Sequence, residues 1–79
     1  MTDITTRVTA IVAEHVAWRM YPPEVTAETN FTAIDLDDAE RGGIAVEVER
    51  EFDREFSDEA VASWTTPGCI VAALMGEVA

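Results

Sequence analysis

The sequence predicts an all-α protein, a small four-helix bundle of three longer helices and one short helix. Two observations carry this. Apolar residues recur at helical spacing, as Ile4, Val8, Ile11, Val12 and Val16 and again as Ile44, Val48 and Phe52. Helix-start signals also punctuate the chain, each a capping residue followed by an acidic or proline first turn. A length of 79 residues allows one domain, 1–79. At that size a single core supplies about 3–5 kcal/mol of net stability. The apolar fraction of 48% is ordinary for a folded domain, and its periodicity argues against disorder.

The first helix is expected from about Asp3 to Met20, with Thr2 or Asp3 as its cap. Arg7, Glu14 and Arg19 fall off its apolar stripe, and Pro22 and Pro23 end it, since proline lacks the N–H and crowds the residue before it. Residues 22–37 form a long connection, PPEVTAETNFTAIDLD, in which Phe31 and Ile34 are expected to reach the core. Asp37 caps the second helix, with Asp38 and Glu40 in a first turn that suits the positive end of the helix dipole. Ile44, Val48 and Phe52 give that helix its core face. Gly42 and Gly43 lie inside it and cost about 0.8–1.0 kcal/mol each relative to alanine, which points to a close backbone approach, a weak first turn, or an unconstrained exposed patch. After a link at residues 53–56, Ser57 caps a short third helix containing Ala60, Val61 and Trp64. Thr66 and Pro67 open the last helix, whose apolar face is Ile70, Val71, Leu74 and Val78.

Charge narrows the partners. Sixteen acidic residues stand against five arginines, for a formal net charge of −11. Such a field repels nucleic acid and anionic membranes and attracts basic protein surfaces. The single cysteine, Cys69, excludes an intramolecular disulfide and fits a reducing compartment. Arg7, Glu14, His15 and Arg19 interrupt residues 1–20, so neither a signal peptide nor a membrane span is expected. The expectation is a monomeric cytoplasmic protein without stable membrane insertion.

The segment from Phe31 to Phe52, FTAIDLDDAERGGIAVEVEREF, carries a family likeness. Phe31, Ile34 and Asp37, then Glu49, Glu51 and Phe52, fall in order where the acyl carrier proteins of fatty acid and polyketide synthesis have a loop aromatic, a hydrophobic residue, the acidic residue of an Asp-Ser-Leu motif and a Glu-Glu-Glu-Phe helix end. Ser57-Asp58-Glu59 and Trp64-Thr65-Thr66 follow where that family begins its third and fourth helices, so the chain resembles an acyl carrier protein along nearly its full length. The resemblance implies a four-helix carrier fold.

The departures bear on function. The resemblance implies a serine bearing 4′-phosphopantetheine, but the matching residue is Asp38, whose carboxylate cannot form that phosphodiester. Ala39 replaces the following leucine, Gly43 an acidic residue and Arg50 a glutamate. No cofactor is therefore expected. Asp38 is either a relic suited to a helix first turn or a permanent charge partly imitating a phosphate.

Other chemistries fit poorly. An EF-hand loop read from Asp35 would place Ala39, Glu40 and Val46 at positions 5, 6 and 12, where an oxygen ligand, glycine and glutamate belong. One histidine and one cysteine make no zinc site, so no metal is expected. His15 is far in sequence from either serine, Ser57 or Ser63, and reads as an interfacial residue of the first helix; no catalytic residues are expected.

The leading expectation is thus a non-carrying, carrier-like module that docks onto a basic partner, such as a lipid or polyketide pathway enzyme, through Asp37, Asp38, Ala39, Arg41, Gly42, Gly43, Val46 and Arg50. Rivals are a carrier with an unorthodox attachment at Ser57, Ser63 or Cys69, and a small acidic lipid-binding protein.

Overall fold

The computed structural model describes residues 3–76. Within them the chain forms α1 (Ile4–Val16), a 3-10 turn (Thr32–Ile34), α2 (Asp38–Phe52), α3 (Asp58–Ser63) and α4 (Pro67–Leu74), with no strand among the described residues. α1 packs on α2 and α4, and α3 packs on α2. The Thr2 and Val78 expectations lie outside the described residues.

Local capping sets the helix starts. The Asp3 carboxylate accepts from the Thr6 N–H at 2.7 Å, Ser57 accepts from Ala60 and Thr66 accepts from Cys69. At α2, Asp37 accepts from the Glu40 N–H at 2.8 Å while Glu40 accepts from the Asp37 N–H at 3.2 Å, a reciprocal capping box. Each such cap is worth about 1 kcal/mol.

The end of α1 departs from expectation. The helix stops at Val16, not at Met20 before the prolines. The Ala17 N–H bonds back to Glu14 and the Arg19 N–H to Val16, tightening the last turn into 3-10 geometry. Arg19 then turns inward. Its guanidinium donates to the carbonyls of Ile34 and Asp35 and reaches the Glu40 carboxylate. These long-range bonds compete with one more helical turn and prevail.

One hydrophobic core holds the bundle together. Val8, Ile11, Val12 and Val16 of α1 meet Ile44, Ala45 and Val48 of α2, Ile70 and Leu74 of α4, and Trp64 between α3 and α4. The long connection contributes Phe31 and Leu36, with Ile34 only partly buried against them. Phe31 was expected inside. Leu36 takes the place expected of Ile34, because the 3-10 turn and the left-handed Asp35 (φ 55°) rotate Leu36 inward. The Leu36 N–H closes this corner on the Phe31 carbonyl at 2.9 Å.

Two backbone bonds tie the connection to the start of α4: the Phe31 N–H to the Thr65 carbonyl at 2.8 Å and the Gly68 N–H to the Ala27 carbonyl at 2.9 Å. A Cβ on Gly68 would lie 3.1 Å from that carbonyl oxygen, so glycine permits the approach. At the opposite end Arg54 donates to the Leu74 and Ala73 carbonyls, satisfying the open end of α4. These ties place the acidic start of α2 at one end of the bundle.

Candidate functional site

The first two turns of α2 form the acidic corner. Asp37 spends its carboxylate on the capping box, and Asp38, in the first helical position, projects into solvent with 97% of its side chain exposed. Arg41 approaches it, donating to the Asp38 carboxylate at 2.7 Å. Ala39 is exposed beside them. The carboxylates of this corner are directed apart, Asp37 to a backbone N–H, Asp38 to Arg41 and Glu40 to Arg19. Among the described residues no three acidic, histidine or cysteine side chains converge into a metal-holding group.

Arg41, expected on the docking surface, is largely enclosed. Only 16% of its side chain is exposed, and its Nε is buried with no hydrogen-bond partner among the described residues. It lies along a groove of about 450 Å³ between α2 and α3. Gly42, Ala45, Val46 and Glu49 form the α2 wall, Val61 and Ala62 the α3 wall, with Phe56 between them and Asp38 and Asp58 at the rim. A more open hollow of about 520 Å³ continues past Val46 and Glu49 to Arg50, Asp53, Arg54 and Glu55.

Glu49 and Phe56 shape the groove. The Glu49 carboxylate accepts from the Phe56 N–H at 2.8 Å, holding the link before α3 against α2. Phe56 meets Trp64 edge-on, with ring centroids 5.1 Å apart. These lining residues escape sequence reasoning, because the groove exists only once residues 53–56 fold back.

The expected docking residues thus separate. Asp38, Arg41, Gly42, Val46 and Arg50 line the groove or its extension, and Asp37 and Ala39 stand at its head. Gly43 leaves this set, since it turns toward α1, where an added Cβ would lie 3.2 Å from the His15 ring. His15 Nε2 in turn lies 3.0 Å from the Glu47 carboxylate across the α1–α2 seam, the interfacial position expected of it.

The three alternative attachment residues lie at the two ends of α3 and in the first turn of α4. Ser57 caps α3, and the Ser63 hydroxyl donates to the Ala60 carbonyl at 2.6 Å. Cys69 is half-buried in the first turn of α4. The Thr66 hydroxyl and, next, the Thr65 backbone lower its thiol to about 7. Among other shifted groups, the hydrogen bond from Arg7 at 2.8 Å holds Glu51 below the usual carboxylate range, and the Thr6 N–H does the same for Asp3.

The described residues do not fit a phosphopantetheine arm at the corner: Asp38 has no hydroxyl, and neither serine belongs to that turn. No helix of the described residues is long and apolar enough to cross a membrane. No protein-family model matches the chain, and no curated protein matches it.

Proposed function

We propose that this chain is a carrier-like protein without a prosthetic arm, a monomeric cytoplasmic module that docks onto a basic protein of a fatty acid, polyketide or related lipid pathway. The observation that carries this reading is the acidic corner. A long connection pinned by Phe31 delivers Asp37 as the cap of α2 and Asp38 as its exposed first residue. That is the place where the acyl carrier proteins it resembles present their modified serine. The face running from Asp38 through Gly42 and Val46 to Arg50 borders a shallow groove and its extension, along which Asp38, Asp58, Asp53 and Glu55 offer carboxylates to a basic partner.

Intact mass before and after incubation with coenzyme A and a promiscuous phosphopantetheinyl transferase tests the first half. An unchanged mass is expected, and a gain of one phosphopantetheine would make the chain a working carrier. Charge reversal at Asp38 tests the second half. Binding to a host protein isolated on the wild-type chain is expected to weaken, and equal affinity would move the docking surface elsewhere.

A second reading rests on the groove itself. Ala45, Val46, Phe56, Val61 and Ala62 give it apolar walls, and the partly buried Arg41 guanidinium would meet a carboxylate at its head. Its size is within the usual range for small-ligand sites. A free fatty acid held there raises the melting temperature with increasing chain length. A flat response across chain lengths removes this reading.

A further inference from the structure

Trp18, Met20 and Tyr21 stand outside the bundle with 75%, 85% and 86% of their surfaces exposed. They follow the early end of α1, where a longer helix would have carried Met20 along the buried stripe beyond Val16. The segment is anchored. Between Trp18 and Met20, Arg19 is bonded to the Ile34 and Asp35 carbonyls and to Glu40, and its guanidinium lies 5.9 Å from the Trp18 ring centroid. Pro22 and Pro23 restrict the chain immediately beyond. Large apolar side chains shown on a pinned segment lose less freedom on binding than those on a free loop.

The border of this patch is acidic. Glu14 lies one helical turn before Trp18 and Glu24 three residues after Tyr21, both exposed. Arg19 draws the segment against Asp35 and the start of α2, where Asp37 is exposed. Little positive charge offsets these groups. Arg7 is engaged with Glu51, Arg19 with Glu40 and Arg41 with Asp38, while Arg54 caps α4. Arg50 sits near the far end of α2.

We propose that Trp18, Met20 and Tyr21 form a second docking surface, built for a protein segment whose apolar side chains are flanked by lysine or arginine. Exposed tryptophan and tyrosine are the side chains most often found at the energetic centre of protein interfaces. The acidic border selects a basic partner by charge complementarity. A second copy of this chain brings a further −11 against the same border, and anionic lipid is repelled by it. Arg19 contacts α2 at Glu40 in its first turn, whereas Val46 and Arg50 lie further along that helix, so a change at Arg50 tests one assignment without the other.

The probe is a short amphipathic leucine–lysine peptide, compared with a serine–lysine peptide of equal charge by fluorescence anisotropy. The wild-type chain is expected to bind the leucine–lysine peptide the more tightly. Replacing both residues, Trp18→Ala and Tyr21→Ala, is expected to weaken that binding by about tenfold while leaving the serine–lysine peptide unaffected. Both side chains are exposed, and an unchanged circular dichroism spectrum confirms folding of the variant. Arg50→Glu is expected to leave the patch-dependent difference intact. Equal binding of the two peptides by wild type, or an unaffected double variant, overturns the proposal. So does a Trp18-dependent blue shift with phosphatidylcholine vesicles in place of peptide preference, or a Trp18-dependent dimer in sedimentation.

Discussion

The Arg41 guanidinium donates a 2.7 Å hydrogen bond to the carboxylate of Asp38, three residues before it in the first turn of α2. The corner anion therefore has a countercharge on its own helix. A partner that reads Asp38 as an anion must compete with Arg41, which weakens Asp38 as an imitation of phosphate. The pair itself contributes little stability, at most about 0.5 kcal/mol, because Asp38 is solvated.

Asp38→Ser places a hydroxyl where the proposed carrier likeness implies one. The variant is expected to fold with a stability within about 0.5 kcal/mol of wild type. It is also expected to gain one phosphopantetheine from a promiscuous transferase, read by intact mass, where wild type gains none. A serine variant that stays unmodified counts against the carrier likeness at this corner.

Phe31 anchors the long connection from inside the core. Phe31→Ala is expected to cost about 3–5 kcal/mol. That is comparable to the whole net stability of a core this small, so the variant should be largely unfolded without denaturant. Phe31→Leu is milder, at about 1–1.5 kcal/mol. Urea unfolding followed by far-ultraviolet circular dichroism measures both, and an alanine variant near wild type would show that the connection is not pinned there.

Gly42 and Gly43 are neighbours in sequence with different surroundings. A Cβ on Gly42 meets nothing within 4 Å, whereas one on Gly43 meets the His15 ring at 3.2 Å. Gly42→Ala is expected to stabilise by about 0.5–1 kcal/mol through helix propensity alone, which raises the melting temperature by several degrees. Gly43→Ala should gain less, because the His15 ring has to shift away from its contact with Glu47. Equal gains would mean that the α1–α2 seam is looser than this packing implies.

Cys69 should titrate near neutrality. Its thiol is lowered from the ordinary value of 9.0 to about 7, mainly by the Thr66 hydroxyl. The rate of iodoacetamide alkylation is therefore expected to have its midpoint near pH 7. Thr66→Asp keeps a capping oxygen but places a negative charge beside the sulfur, and is expected to move the midpoint upward. The linked stability has a definite sign. The unfolded chain holds the thiol proton more tightly, so stability rises with pH between about 7 and 9.0 and this gain is lost as pH falls through about 7. A midpoint near 9.0 in the folded protein overturns the assignment.

Much of the helical layout was legible in the sequence. Asp37, Ser57 and Thr66 were each identified as caps, and each side chain accepts from a backbone N–H three residues on. The buried stripe of α1 and the inward Ile44 and Val48 of α2 also followed from spacing. The site was less legible. Asp37, Asp38 and Ala39 could be placed at a corner, but neither the groove against α3 nor the departure of Gly43 from that face had a sequence signal. Both depend on where α1 and residues 53–56 return relative to α2.

By itself, the sequence determined where the helices begin and which faces turn inward, because capping and 3.6-residue periodicity act over a few residues. It also determined the absence of a hydroxyl at Asp38. Only the tertiary structure decided where α1 ends, that Leu36 lies deeper than Ile34, that Arg41 is enclosed beside a groove, and that Trp18, Met20 and Tyr21 remain outside. The reason is the reach of the interactions. Arg19 ends α1 through partners 15 to 21 residues away, and spacing along a chain carries no record of which distant carbonyl a guanidinium will find.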